Sequence, residues 1–208
     1  MKTSSKWLVI LLISGSIFSG CTPKAKYERM LKRELSSGVR FDSLFMGFYF
    51  GMPEKEFYVH CWNMNKKGLF RQDASNTSVE YQTKDELKYP ATMDFYPKFH
   101  DGKISEMPVR YVYKGWAPWN KTFSSDNLQM DVLNYYKKTY GGGFMEVRHP
   151  KRGKAFVKMN GNRRITIFKE DELHVWAIFT DMLVKKGFNN ASTGADVSTD
   201  SLNKDLKK

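Results

Sequence analysis

An apolar run gives way to a helix at Gly51-Met52-Pro53-Glu54-Lys55-Glu56-Phe57. Pro53 suits the first position of a helix, because the backbone N–H that proline lacks would have no partner there. Glu54 and Glu56 follow it, and their negative charges are favourable at the positive end of the helix dipole. The pattern predicts a helix that begins at Pro53 and runs to about Asn65.

Short strands are predicted to follow this helix and to form an antiparallel meander. They cover residues 69–72, 79–82, 91–99 and 104–113. Asp101-Gly102 is a typical hairpin turn and joins the last two of them. Apolar residues alternate with polar neighbours along these two strands, as is typical of a sheet.

The second half of the chain has the same order of elements without repeating the residues. A helix is predicted over 125–140, with Ser124 or Ser125 as its cap. A run of three glycines ends it, and Asn160-Gly161 is the strongest hairpin signal of the chain. The predicted strands of this half cover residues 144–147, 154–159, 163–168 and 173–184.

These elements predict an α+β protein in which two helix-then-antiparallel-meander units pack as one body. A short N-terminal helix over 27–35 comes first, the first unit covers 27–115, and the second unit covers 116–186. The apolar run over 44–50 is either a buried strand or an extended lead-in. Residues 187–208 are small and polar, which predicts a disordered tail.

The order of these elements resembles two known families, and Gly51-Met52 followed at once by a helix adds to the resemblance. One family is that of the SmpA/OmlA (BamE-like) outer-membrane lipoproteins. The other is the beta-lactamase-inhibitor-protein-like fold, which pairs two helix-then-sheet units. The resemblance implies an interaction module, and it bears on architecture more than on function.

The N-terminus has the architecture of a secretory signal, with basic residues before an apolar run over 7–13. Phe18-Ser19-Gly20-Cys21 resembles the bacterial lipobox, in which the cysteine receives acyl chains. We therefore predict a signal peptide over 1–20, lipidation at Cys21 and a short tether over 21–26. The alternative is an ordinary signal that is cleaved nearby without lipidation.

The resemblance to lipoproteins of Gram-negative bacteria also implies a location. Acyl chains on Cys21 would anchor the mature protein to a membrane that it does not cross. Thr22 stands where an aspartate commonly retains lipoproteins in the inner membrane. We expect a cell-envelope lipoprotein of the outer membrane that faces the periplasm.

The chain carries a formal charge of +12 at pH 7, and its basic residues are spread along the whole sequence. Basic proteins often bind nucleic acid, but an exported protein rarely meets it, so we expect no nucleic-acid partner. Anionic lipid headgroups, lipopolysaccharide, peptidoglycan or an acidic protein face are better candidates. Cys61 is the only other cysteine, so acylation of Cys21 excludes an intramolecular disulfide.

We expect no catalytic residue, no metal site and no cofactor. His60 and Cys61 are neighbours on a helix, where side chains point about 100° apart, so they cannot easily form a catalytic pair. Cys61 is predicted to be a buried structural thiol and His60 to be exposed. The spacing of His100, His149 and His174 fits no metal-binding pattern.

The predicted contact surface is aromatic. Trp116 and Trp119 lie in a proline-containing loop between the two units, and Tyr111 and Tyr113 come just before it. Tryptophan in a rigid loop is a good anchor for a protein, a glycan or a membrane interface. The alternative is that the tryptophans fill the groove where the two units join.

A basic loop is the second candidate contact. Arg148 and Arg152 belong to it, and such a loop could meet an anionic surface. A solvated face would explain these charges equally well.

Together these features predict a non-enzymatic, membrane-anchored protein-interaction module. Its contact surface would be the loop between the units and the adjacent sheet face, and its partner another envelope protein or a glycan. One alternative is a lipoprotein that binds a glycan or a small ligand by stacking it on the tryptophans. A third hypothesis is an envelope hydrolase, which would need a concave acidic site near His100, Asp101 or Asp171.

Overall fold

Helices and one nine-stranded sheet form the part of the chain that the computed structural model describes, which is residues 23–75, 77–149 and 153–185. The long α-helices are α1 (Pro23–Ser36), α2 (Glu54–Lys66) and α3 (Ser125–Tyr140), and residues 182–185 are also helical. The predicted α+β class is therefore confirmed. Within these ranges, no helix is both long enough and apolar enough to cross a membrane.

All strand pairs of the sheet are antiparallel. The strands are β1 (Phe70–Gln72), β2 (Val79–Gln82), β3 (Ala91–Phe95), β4 (Lys98–His100), β5 (Lys103–Tyr113), β6 (Met145–His149), β7 (Gly153–Asn160), β8 (Arg163–Lys169) and β9 (Val175–Asp181). Their order is β1-β2-β3-β5-β9-β8-β7-β6, and β4 pairs with β5 beside this path. Strand β9 thus joins the strands of the first half to those of the second.

Helices lie on both faces of the sheet. Arg163 of β8 points toward α3, where its guanidinium carbon lies 4.9 Å from the ring centre of Tyr140. The next residue, Arg164, donates a hydrogen bond of 3.4 Å to the hydroxyl of Tyr27 in α1. Successive side chains of a strand point to opposite faces, so α1 and α3 lie on opposite sides of the sheet.

The bounds of α3 follow from its own residues, as predicted. The Ser124 hydroxyl accepts a hydrogen bond from the backbone N–H of Asn127 and caps the helix. Gly141, with a φ of 84°, ends it. The buried side chains recur every three or four residues and place one face against the core: Ser125, Leu128, Gln129, Val132, Leu133 and Tyr136.

The apolar run over 44–50 is a tight turn, and it is neither of the two predicted forms. Met46 and Gly47 have φ angles of 48° and 86°. The Leu44 N–H donates to the Phe48 carbonyl oxygen at 2.9 Å, which closes the turn. Leu44 and Phe48 are buried in the core, so the run fills the space beneath α2.

The chain after α1 is tied to the turn between β7 and β8. The side chain of Asn162 accepts a hydrogen bond of 2.7 Å from the Phe41 N–H and donates one of 3.0 Å to Asp42. The N–H of Gly161 donates to a carboxylate oxygen of Glu34 at 3.1 Å. These bonds fix the position of α1 on the body.

Several predicted boundaries are wrong. The strand predicted over 173–184 is too long, because β9 covers Val175–Asp181 and residues 182–185 are helical. Helix α1 begins at Pro23, so positions 23–26, predicted as a tether, are helical. The hairpin of β7 and β8 turns at Gly161-Asn162, one residue later than predicted, because Asn160 still pairs with Arg163.

One predicted strand is divided, and several predictions have no structural outcome. The strand predicted over 91–99 is split into β3 and β4 around Pro97, which has no N–H to donate to a sheet. The predicted signal over 1–20, Cys21 and the predicted tail over 187–208 lie outside the described residues.

Candidate functional site

The loop after β5 presents the most exposed aromatic side chain among the described residues. Trp119 is 85% exposed. The Asn120 N–H donates to the Ala117 carbonyl oxygen at 2.9 Å and closes a turn around the indole. The Thr122 N–H donates to the Asn120 side chain at 3.2 Å. Trp119 therefore projects from a hydrogen-bonded turn.

A groove of ≈ 610 Å³ runs beside this loop. Trp116 and Pro118 line it from the loop, and residues 169–172 line it from the turn between β8 and β9. Lys169 Nζ lies 2.5 Å from a carboxylate oxygen of Asp126 within this lining. Trp116 is half-buried there, whereas Trp119 does not line the groove. The two tryptophans therefore have different surroundings, and neither of their predicted roles is decided by this geometry.

A histidine lies close to two carboxylates of the groove lining, Glu170 and Asp171. Glu170, Asp171 and His174 bring their ligand atoms within 4.8 Å of one another and are a set that could hold a metal ion. Hydrogen bonds among neighbours already explain this arrangement. His174 Nδ1 lies 2.9 Å from Asp171, and the Trp176 indole N–H donates to Glu170 at 2.7 Å.

Asp171 is the only residue named for the hydrolase hypothesis that lines this groove. Burial alone would raise the pKa of its carboxyl, but hydrogen bonds from His174 and from the backbone N–H groups of Leu173 and His174 lower it overall. A general acid needs a raised pKa. Asp171 is therefore a carboxylate at neutral pH, and its environment does not favour a role as an acid.

The predicted contact residues Tyr111 and Tyr113 are buried, so this part of the predicted surface is wrong. They are 1% and 2% exposed. The Tyr111 hydroxyl lies 3.1 Å from that of Tyr136, and the Tyr113 hydroxyl donates to Asp131 at 2.5 Å. Burial raises the pKa of both tyrosines. They face the core because alternate residues of β5 point to α3.

The predicted basic loop is only partly described. Arg148 is exposed on β6, at one edge of the sheet. It pairs in register with Lys154 of β7. Arg148 does not line the groove beside Trp116, and Arg152 lies outside the described residues. The two predicted contact features are therefore not brought together.

His60 and Cys61 have structural roles. His60 is half-buried and not exposed as predicted, because its Nε2 lies 2.8 Å from the Met46 carbonyl oxygen and its ring packs against Phe48. Cys61 is half-buried, and burial raises the pKa of its thiol to about 12. A thiol with this pKa is almost fully protonated at neutral pH and is a poor nucleophile.

Sequence reasoning missed a second exposed aromatic surface, which we call the α2 aromatic patch and define as Tyr58, Trp62 and Tyr96. These side chains are 40% to 60% exposed and line a groove of ≈ 410 Å³. The hydroxyls of Tyr58 and Tyr96 are 2.7 Å apart. Tyr58 and Trp62 are four residues apart beside the buried face of α2, and this spacing is the signal that could have predicted the patch.

Comparison of the chain with family models, curated proteins and solved structures finds no match. The resemblance to BamE-like lipoproteins therefore stays a prediction from the order of elements. What the protein does has to be inferred from its own residues and their geometry.

Proposed function

We propose that this protein is a membrane-anchored lipoprotein of the cell envelope that acts as a non-enzymatic protein-interaction module. The contact would be made by the Trp119 turn, residues 115–120. The observation that carries the proposal is the 85% exposure of an indole held in a hydrogen-bonded turn.

An exposed tryptophan on an ordered turn is an efficient contact residue. Burying a large apolar side chain against a partner stabilises a complex by roughly 1.5–3 kcal/mol. The turn around Trp119 is closed by the bond between Asn120 and Ala117, so little conformational entropy is lost when a partner binds. Tryptophan is accordingly enriched among the residues that dominate protein interfaces.

The anchoring part of the proposal rests on the N-terminal sequence. The lipobox-like stretch ends at Cys21, and helix α1 begins at Pro23. Acyl chains on Cys21 would therefore attach to a chain that is folded almost from its first residue. We place the protein in the outer membrane, facing the periplasm.

A glycan-binding lipoprotein is the second candidate, and the groove beside Trp116 favours it. Sugars are commonly bound by an aromatic face for stacking together with polar side chains for hydrogen bonds. The groove combines Trp116 with Asn120, Asp126 and Glu172. In this case Trp116 would be the main contact, and Trp119 would not be required.

In-cell crosslinking followed by mass spectrometry tests the leading proposal. The native protein, Trp119→Ala and Trp62→Ala are compared after membrane attachment of each is confirmed. Trp62 is the matched control, because it is a 60% exposed tryptophan of the α2 aromatic patch. We expect one envelope protein to be captured by the native chain and by Trp62→Ala, and lost from Trp119→Ala. Equal capture by all three proteins would refute a contact role for Trp119.

Titration with soluble muropeptides, followed by tryptophan fluorescence, tests the second candidate. Saturable binding that is lost in Trp116→Ala and kept in Trp119→Ala would favour glycan binding. Binding that neither substitution changes would exclude the groove as its site.

A further inference from the structure

The outward face of α1 carries a stripe of positive charge. We call Lys26, Arg29, Lys32 and Arg33 the α1 basic stripe. All four are exposed, and their spacing places them on one side of a helix with 3.6 residues per turn. The opposite side of α1, with Tyr27 and Leu31, is half-buried toward the sheet.

Acidic groups on the same helix leave this stripe basic. Glu34 lies toward the body, where it accepts a hydrogen bond from the Gly161 N–H and pairs with Arg33 at 2.8 Å. Glu28 is the only other acidic residue of α1, whereas the helix contains five basic residues. The outward face is therefore complementary to an anionic surface.

The stripe begins close to the proposed anchor. Lys26 is five residues after Cys21, so at most about 18 Å of extended chain separates them. From Lys26 to Arg33 the helix advances only about 10 Å at 1.5 Å per residue. Salt screens exposed charges over about 8 Å at physiological ionic strength. A helix perpendicular to the membrane would place Arg33 farther than this from the surface when Lys26 touches it, whereas a helix parallel to the membrane brings all four charges close to the headgroups.

Hydrogen bonds hold α1 in a fixed position relative to the sheet. Gly161 and Asn162 hold Glu34, Phe41 and Asp42 by hydrogen bonds. The orientation of the stripe relative to the rest of the protein is therefore fixed, and any surface that binds the stripe also orients the body.

We propose that the α1 basic stripe lies on the membrane surface and binds the headgroups of anionic phospholipids. This inference rests on the proposed anchoring at Cys21. Acyl chains hold the protein on the bilayer, and the basic stripe selects how it lies there, since acyl chains and basic residues act together at membranes. Each basic residue near an anionic surface shifts the equilibrium by about fivefold. Helix α3, on the other side of the sheet, then faces away from the bilayer.

Quenching by nitroxide-labelled headgroups tests this orientation in the acylated full chain. A fluorophore is placed at Ser36→Cys, on the exposed side of α1, in a Cys61→Ala background. Vesicles contain phosphatidylcholine alone or equal parts of phosphatidylcholine and phosphatidylglycerol. We expect strong quenching only with phosphatidylglycerol, and its loss at high salt. A fluorophore at Asn134→Cys, exposed on α3, is expected to stay unquenched.

Two charge variants make the test specific. Lys26→Gln/Lys32→Gln removes two charges from the stripe and is expected to reduce the quenching at position 36 by more than half. Lys137→Gln/Lys138→Gln removes the same charge from exposed positions of α3 and is expected to leave it unchanged. Equal effects of both variants, or equal quenching in the two kinds of vesicle, would overturn the proposal.

Flotation of the same vesicles separates this inference from the anchoring on which it rests. Protein that floats with both kinds of vesicle but shows no quenching at position 36 is anchored without the proposed orientation. Protein that floats with neither kind lacks the anchor, and both proposals then fail.

Discussion

The backbone of Gly161 lies against the carbonyl oxygen of Val39 so closely that a Cβ at position 161 would overlap it. Gly161 also has a φ of 51°, which disfavours other residues. Gly161→Ala should therefore lower the free energy of unfolding by more than about 2 kcal/mol, through strain and displacement of the N-terminal segment. Urea unfolding followed by circular dichroism measures this loss.

Gly102 provides the control for this prediction. It has a φ of 68° at the hairpin tip before β5, and a Cβ there would meet no atom within 4 Å. Gly102→Ala should cost only about 1 kcal/mol, from backbone strain alone. Equal losses in the two variants would mean that the segment at Val39 moves aside freely.

The hydroxyls of Tyr111 and Tyr136 form a hydrogen bond with each other inside the core. Their oxygens are 3.1 Å apart, and both side chains are buried. Either single change to Phe should cost about 1–3 kcal/mol, because the remaining hydroxyl stays buried without this partner. Tyr111→Phe/Tyr136→Phe should lose less stability than the sum of the single losses. A strictly additive double-mutant cycle would show that the two hydroxyls do not interact.

Burial of these tyrosines predicts a loss of stability in alkali. It raises the pKa of Tyr111 and of Tyr136 well above 10.0 in the folded protein. The folded state thus holds these protons more tightly than the unfolded state, whose tyrosines titrate near the usual pKa of about 10. The free energy of unfolding should stay constant up to about pH 9 and fall as the pH rises above about 10.

Unfolding experiments at a series of alkaline pH values check this dependence. In Tyr111→Phe/Tyr136→Phe the fall should be shallower but not abolished, because burial also raises the pKa of Tyr113 and Tyr140. A slope identical to that of the native protein would argue that Tyr111 and Tyr136 ionise without unfolding.

Cys61 should react slowly with thiol reagents in the folded protein. Its half-buried thiol has a pKa raised by desolvation to about 12, so little thiolate forms at neutral pH. Labelling with a disulfide reagent at pH 7.5 should be more than about tenfold slower than labelling of Ser36→Cys. The rates should become equal in urea. Comparable rates in the folded state would show that Cys61 is accessible and ionisable.

Local signals predicted much of this fold. Helix α3 has its cap at Ser124, its buried face and its terminating glycine within one short stretch, and its predicted bounds are those observed. The bounds of β2 were also predicted correctly. Such elements depend on neighbours in the sequence, so pattern and turn chemistry are sufficient to predict them.

Contacts between distant residues determined what the sequence did not show. The alternation along β5 indicated that Tyr111 and Tyr113 share a face with apolar neighbours. This alternation predicts their burial better than their short distance in sequence from the tryptophan loop predicts their exposure. The groove combines that loop with residues 169–172, which are about fifty positions away. A loop has no periodicity, so exposure of Trp119 and partial burial of Trp116 were equally compatible with the sequence.

The central place of β9 has a consequence for how the protein folds. Strand β9 is the last of the described strands, yet it pairs with β5 on one side and with β8 on the other. Before β9 pairs, the sheet consists of two separate parts with unpaired edges. Such edges can pair with the strands of other chains. Such long-range pairing slows folding, and a chain that is cut before Val175 would be prone to aggregation. A nascent chain can therefore join the two parts of this sheet only after Val175–Asp181 has been released.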